Sequence, residues 1–306
     1  MTGGALWLKI APCGTDGDTR SCAADRSSLM SLVLTSPNPN RVRDLERALE
    51  EVRASRPAAT RVLSITDNAN SDAGSVAEAI DADPMMTAQV LRLANSAAFG
   101  MSERVSSTRV AVSLVGFSAI RSIAVLLASG LRNHKTPVPA SFWRHASTTA
   151  SACAVLAGRF GVVRGDAFSL GLLHDVGMAI LHTVDPATHA TLTADNDDNS
   201  ALCAHEMVEF GMSHADAAAR VLSEWHFPSA FVGAVACHHD VGFGENPLDR
   251  VLLAGDTVAH LVTQPEESWN PEEIALLESL GVPRESLAEI ARNTQEYADN
   301  AIAGLI

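Results

Sequence analysis

The ten residues GLLHDVGMAI, 171–180, set His174 and Asp175 side by side in an otherwise apolar, helix-like run. Burying an imidazole or a carboxylate without a partner costs several kcal/mol, so the doublet needs something to pair with. A second doublet, His238 and His239, closes the apolar segment AFVGAVAC. Single candidates stand in FWRHAS (His145), MSHADA (His214) and LAGDTV (Asp256). Most of the 11 histidines of the chain fall between Trp143 and His260. Taken alone, each is most simply a core or surface residue donating to a backbone carbonyl. Two doublets within apolar helices are harder to satisfy separately, and convergence on one polar centre would satisfy them together. Imidazole and carboxylate ligands suit divalent Fe, Mn, Zn or Ni far better than Ca or Mg. The candidate metal ligands are therefore His145, His174, Asp175, His214, His238, His239 and Asp256, with His174 and Asp175 central to any hydrolytic chemistry. His134, His182, His189, His205, His226 and His260 are expected at the surface or at interfaces.

Helices must carry these residues, because successive helices of a bundle can turn them toward one centre. From Arg41 onward the apolar spacing is helical throughout. Val42, Leu45, Ala48, Leu49 and Val52 share one face of a helix that Asn40 is placed to cap. Asp83 before Pro84 starts another, and Gly100 should end it. Further helical segments are STRVAVSLVG, SAIRSIAVLLASGLR, SFWRHASTTASACAVLAGRF, AFSLGLLHDVGMAILHTV, ALCAHEMVEFG, SHADAAARVLSEWHF, PSAFVGAVACHH and three more toward the C terminus. Ser213 followed by Asp216 resembles a capping box. Asn95 and Ser96 are read as local caps near a helix end, with a contact between lobes as the alternative, and Trp225 and Phe227 as core residues. Residues 1–40, rich in Gly, Ser, Thr, Asp and Pro, read as a disordered arm.

Composition narrows the function. The 306-residue chain can bury a full core, and no run of about 18 apolar residues is free of charges, so no membrane partner is expected. The formal net charge of −14 repels a phosphate backbone, and the arginines of RVRDLERALEEVR alternate with glutamates, so direct nucleic-acid binding is not expected. Cys13, Cys22, Cys153, Cys203 and Cys237 are scattered without a C-x-x-C pair, as reduced structural cysteines of a cytoplasmic protein would be. There is no glycine-rich phosphate loop and no repeat of fixed period.

The stretches DADPMMTAQVLRLANSAAFG, AVSLVGFSAIRSIAV, FWRHAS, LGLLHDVGMAIL, EFGMSHADAAARVLSEWHFP and AVACHH, in this order and spacing, make the chain resemble the HDOD domain, a bacterial signalling relative of the HD metal-dependent phosphohydrolases. The resemblance implies an all-α, two-lobed fold: an N-terminal helical lobe over 41–138 and an HD-like bundle over 139–264, followed by a helical extension over 265–306. It implies a regulatory role exercised by binding signalling proteins in trans or a small phosphate-containing ligand. HDOD domains are regarded as having lost parts of the metal site, whereas here a nearly complete HD-type set remains, which keeps a bound transition metal (Fe, Mn or Zn) and a phosphohydrolase activity in view as the alternative. Active HD-GYP phosphodiesterases carry a lysine just after the His-Asp-x-Gly turn and a Gly-Tyr-Pro loop. Met178 occupies the first position and HHDVGFGENP lacks the second. A third reading is a bundle whose polar centre is only a hydrogen-bonded network.

Overall fold

The computed structural model describes residues 37–302 except for 53–56, 67, 69–70, 97–98, 100–104, 130, 132–135, 196–198 and 241–245. Residues 1–36 of the expected arm, Gly100, His134, Cys13 and Cys22 lie outside the described residues. Every regular element among those described is a helix. They run α1 (Pro39–Val52), α2 (Pro57–Thr66), α3 (Ala73–Asp81), α4 (Pro84–Ala94), α5 (Thr108–Val115), α6 (Phe117–Ala128), α7 (Ala140–Leu156), α8 (Arg164–Leu173) and α9 (Val176–Val184). There follow α10 (Pro186–Asp195), α11 (Asn199–Phe210), α12 (His214–Glu224), α13 (Ser229–Ala236), α14 (Pro247–Val262), α15 (Pro271–Ser279) and α16 (Arg284–Ile302).

Local signals explain most helix starts. Asp83 accepts from the Met86 amide at 3.3 Å with Pro84 as first helical residue. Ser213 accepts from the Asp216 amide, although Asp216 returns its bond to the Ser213 hydroxyl and not to the backbone. Asn40 is not the cap of α1. Asn38 is, its carbonyl taking the Val42 amide at 3.0 Å and its side chain the Asn40 amide at 3.0 Å, which leaves Pro39 at the first helical position. Helix α4 ends at Ala94, six residues before Gly100, because Asn95 takes over the capping. Its amide donates to the carbonyls of Leu91 and Val105, both at 2.8 Å, while its oxygen accepts from the Val105 amide at 2.6 Å. Ser96 donates to the Leu93 carbonyl at 2.7 Å.

Two groups of helices share one continuous core. In the first, α2 packs on α3 and α6, and α4 on α5 and α6. In the second, α7 is the axis, nearly all buried, with α8, α14 and α16 against it. Its Ala, Ser, Thr and Cys residues permit close approach: a Cβ on Gly171 would lie 2.7 Å from the Ala150 Cα. The groups meet where α6 lies on α8 and where Phe99 stands edge-on to Phe168, 6.1 Å between centroids. Trp225 and Phe227 are core residues. Two elements depart from the expected division of the chain. Helix α1 packs on α9 and α11, in the histidine-bearing half, with Arg41 paired to Asp185 at 2.8 Å and to Glu209, while its Glu46 pairs with Arg220 of α12 at 2.7 Å. Helix α16 lies along α7 and α14. Residues 164–184 are long and apolar enough to cross a membrane, but 83% of their most apolar window is buried inside the protein, as in a core helix. Among the described residues Cys153, Cys203 and Cys237 form no disulfide, and burial pushes the Cys153 thiol far up, so it stays protonated.

Candidate metal centre

His174 and Asp175 do not sit within one helix. The apolar run breaks there: His174 closes α8 with its amide on the Leu170 carbonyl, and Asp175, at φ −101° and ψ 12°, precedes α9. The break turns both side chains into the space between α7, α12, α13 and α14. His145 reaches that space from α7, His214 from the first turn of α12 and Asp256 from mid-α14. His238 and His239 reach it from a turn just past α13, also outside the helix proper. Gly177 makes the closest join: a Cβ there would stand 1.9 Å from the His214 carbonyl oxygen, so only glycine lets α9 sit against the start of α12.

All seven side chains meet, in two clusters sharing one carboxylate. Asp175 Oδ2 lies 3.1 Å from His174 Nε2 and 3.4 Å from His145 Nε2, with Asp256 Oδ1 3.1 Å from His145 Nε2. Asp175 Oδ1 faces the other way, 3.3 Å from His238 Nε2 and 3.6 Å from His214 Nε2, and His239 Nε2 lies 3.0 Å from His214 Nε2. The donor atoms of Asp175, His214, His238 and His239 lie within 4.8 Å of one another, as do those of His145, His174 and Asp256.

The far nitrogens are fixed by partners behind them. His174 Nδ1 sits 2.8 Å from the Gly171 carbonyl and His238 Nδ1 2.6 Å from the Val235 carbonyl. Since a carbonyl only accepts, each Nδ1 carries a proton, and Nε2 is the nitrogen turned toward the centre. His214 Nδ1 meets Glu206 Oε2 at 2.7 Å, and the same oxygen takes the His214 amide at 2.8 Å. A carboxylate behind a ligand imidazole fixes its tautomer and raises its basicity.

The carboxylates and imidazoles of the centre shift one another in opposite senses. Burial raises the carboxyls of Asp175 and Asp256, but the facing histidines outweigh it and hold both well below the usual range. Burial likewise depresses His145, yet the carboxylates of Asp175 and Asp256 hold its imidazolium up to about 10. His214 is raised in the same way, against burial, by Cys203 and Glu206, while burial beside His238 and His214 pushes His239 down to about 2. A cation entering the centre would displace protons from it.

Three buried atoms test whether a metal fits. Asp175 Oδ1, His238 Nε2 and Asp256 Oδ1 lack any partner in hydrogen-bond geometry, and all face the centre. Unsatisfied lone pairs of nitrogen and carboxylate oxygen, with the tautomers fixed behind them, suit a divalent cation. Beside His145 and Asp175 opens a cavity of about 270 Å³, walled by Phe142, Met178, His182 and His189, with no lysine or arginine among the described residues of its lining.

One expectation is corrected by this geometry. His182 and His189 are not surface residues: they are buried, 5.7 Å apart at their ring centroids. His260 is half-buried and stacked on His145 at 5.6 Å. Glu206 escaped the sequence reading altogether, although a signal existed: Leu202, Glu206 and Phe210, four apart, are the buried face of α11, so the glutamate falls on its apolar stripe.

A model of the HDOD domain matches residues 55–241. The chain belongs to the HDOD domain family. An HDOD domain protein of unknown function from Geobacter sulfurreducens shares 18% identity at a TM-score of 0.55, over 84% of this chain and 98% of that one. A candidate phosphohydrolase from Shewanella amazonensis SB2B shares 23% identity at a TM-score of 0.67, over 86% and 98%. A candidate metal-dependent phosphohydrolase of the same organism shares 17% at 0.60, over 86% and 100%. At these identities the likeness is one of fold. An uncharacterised protein of Treponema pallidum (strain Nichols) is 24% identical over 167 residues, 53% of this chain, which spans 32% of that relative.

Proposed function

We propose that this HDOD protein is a cytoplasmic signal-transduction regulator whose HD-type centre binds two divalent transition-metal ions, iron, manganese or zinc, and through them a small phosphate-containing ligand. The observation that carries the reading is the position of Asp175, one oxygen toward His145 and His174, the other toward His214 and His238. His145, His174 and Asp256 would hold one ion, His214, His238 and His239 the other, and Asp175 would join them. Two ions so held would supply Lewis acidity and an activated water to a phosphate ester. The residues around the centre disfavour turnover. Among the described residues no lysine or arginine lines the cavity beside Phe142 and Met178 to stabilise or protonate a leaving group, a role worth about 10²–10⁴-fold in rate. Output would pass to a protein partner held non-covalently.

Metal-dependent hydrolysis of a phosphate ester is the second reading, favoured by the opening of the cavity directly onto His145 and Asp175. Titration of the metal-loaded protein with inorganic phosphate, alongside turnover of p-nitrophenyl and bis-p-nitrophenyl phosphate, separates the two. Saturable, metal-dependent binding without turnover is expected. Turnover lost in Asp175→Ala with the fold intact would establish the hydrolase, and no metal-dependent binding at all would overturn both readings.

A further inference from the structure

Away from the histidine centre, two arginines of this acidic chain flank a cleft. Arg159, in the single turn that continues α7, and Arg250, in the second turn of α14, flank a cavity of about 300 Å³ together with Phe160, Pro247, Leu280 and Gly281. Arg159 Nη1 donates to the Gly281 carbonyl at 3.2 Å, and Arg250 Nη2 to the Leu280 carbonyl at 2.9 Å. The Arg250 guanidinium also lies over the Phe160 ring, 5.5 Å from its centroid. Capping the C-terminal end of α15 accounts for where the two cations sit. It leaves most of their function open, since each guanidinium has five donors and spends one here. Among the described residues neither makes an ion pair, in a protein of net charge −14 where carboxylates outnumber cations 36 to 22.

Two guanidiniums held in place by backbone carbonyls and a ring, with donors left over, match the oxygens of a phosphoryl group, which arginine binds bidentately. We propose that this cleft is an anion site for a small phosphorylated ligand, separate from the metal centre. A volume at the lower end of the usual 300–1,000 Å³ range for ligand pockets suits a phosphate or pyrophosphate moiety, not a large dinucleotide. The site is also mechanically connected. Arg250 lies six residues before Asp256 on α14, about 9 Å along the helix axis, and Arg159 lies in the turn that continues the helix bearing His145. The two helices that frame the cleft thus carry the contact between His145 and Asp256, so an anion bound there bears on one half of the metal centre.

Calorimetric titration of the full chain with pyrophosphate tests the assignment, using wild type, Arg159→Gln, Arg250→Gln and Asp175→Asn. One binding event is expected to survive Asp175→Asn and to weaken on the order of tenfold in each arginine variant, the loss of a hydrogen bond to a charged group. Arg159 is exposed, so Arg159→Gln keeps the test decisive should Arg250→Gln unfold. Binding abolished by Asp175→Asn but unchanged in both arginine variants would place the anion at the metals and overturn the proposal. Absence of binding to the wild type at millimolar pyrophosphate would overturn it equally.

Discussion

Replacing Gly177 by alanine strikes the join between the turn that carries Asp175 and the helix that carries His214. The new Cβ would stand 1.9 Å from the His214 carbonyl oxygen and 2.9 Å from the Ala218 amide nitrogen. Close carbon–oxygen contacts sit at about 3.3 Å, so α9 and α12 must part by roughly 1.4 Å. Both obstacles are backbone, and neither can swing aside as a side chain would. Overpacking of this kind costs about 1–3 kcal/mol or more, and each kcal/mol lowers the melting temperature of a domain this size by about 2–4 °C. The displaced residue is His214 itself, so binding of the ion proposed between His214, His238 and His239 should weaken while the cluster of His145, His174 and Asp256 is spared. Gly158→Ala is the control, since a Cβ there meets nothing within 4 Å; it should stay within about 0.5 kcal/mol of wild type. Urea denaturation of both variants, followed by metal titration, gives the two readouts. A Gly177→Ala protein as stable as Gly158→Ala, with two unaltered metal sites, would refute the reasoning.

Glu206→Gln keeps the size of the side chain behind His214 but removes its charge, and should weaken the ion on that side about 10–100-fold while leaving the other, as metal titration will report. Phe168→Ala empties a fully buried site at the meeting of the two helix groups and should cost about 3–5 kcal/mol in chemical denaturation. Partial burial raises the Asp185 carboxyl, but Thr188 and Arg41 outweigh it and hold it below its ordinary range. A depressed carboxyl stabilises the fold above its unfolded pKa, about 4, and loses that contribution as pH falls through the folded value. Asp185→Asn should therefore melt below wild type at pH 7, with the gap closing under more acidic conditions.

The polar centre was legible because its members break the pattern around them: His174, Asp175, His238 and His239 interrupt apolar runs that nothing local could satisfy. Asp83–Pro84 and Ser213 were legible as helix starts for the same local reason. The break at His174 was not, since apolar residues continue on both sides of it and only the dihedral angles of Asp175 end α8. In Pro37-Asn38-Pro39-Asn40 either asparagine offers a cap, and the preference of proline for the first helical position decides for Asn38. His182 and His189 gave no signal because their burial depends on α10 folding back on α9. Glu206 did give one, visible only once α11 is drawn as a wheel.

The central claim is that two metal ions belong between these seven side chains, and the most direct measurement is elemental mass spectrometry of untagged protein purified without chelator. About two iron, manganese or zinc ions per chain, falling toward none in Asp175→Asn, is the predicted result. Folded protein that arrives metal-free and takes up none of the three on dialysis would contradict it, leaving His174 and Asp175 as part of a hydrogen-bonded network alone.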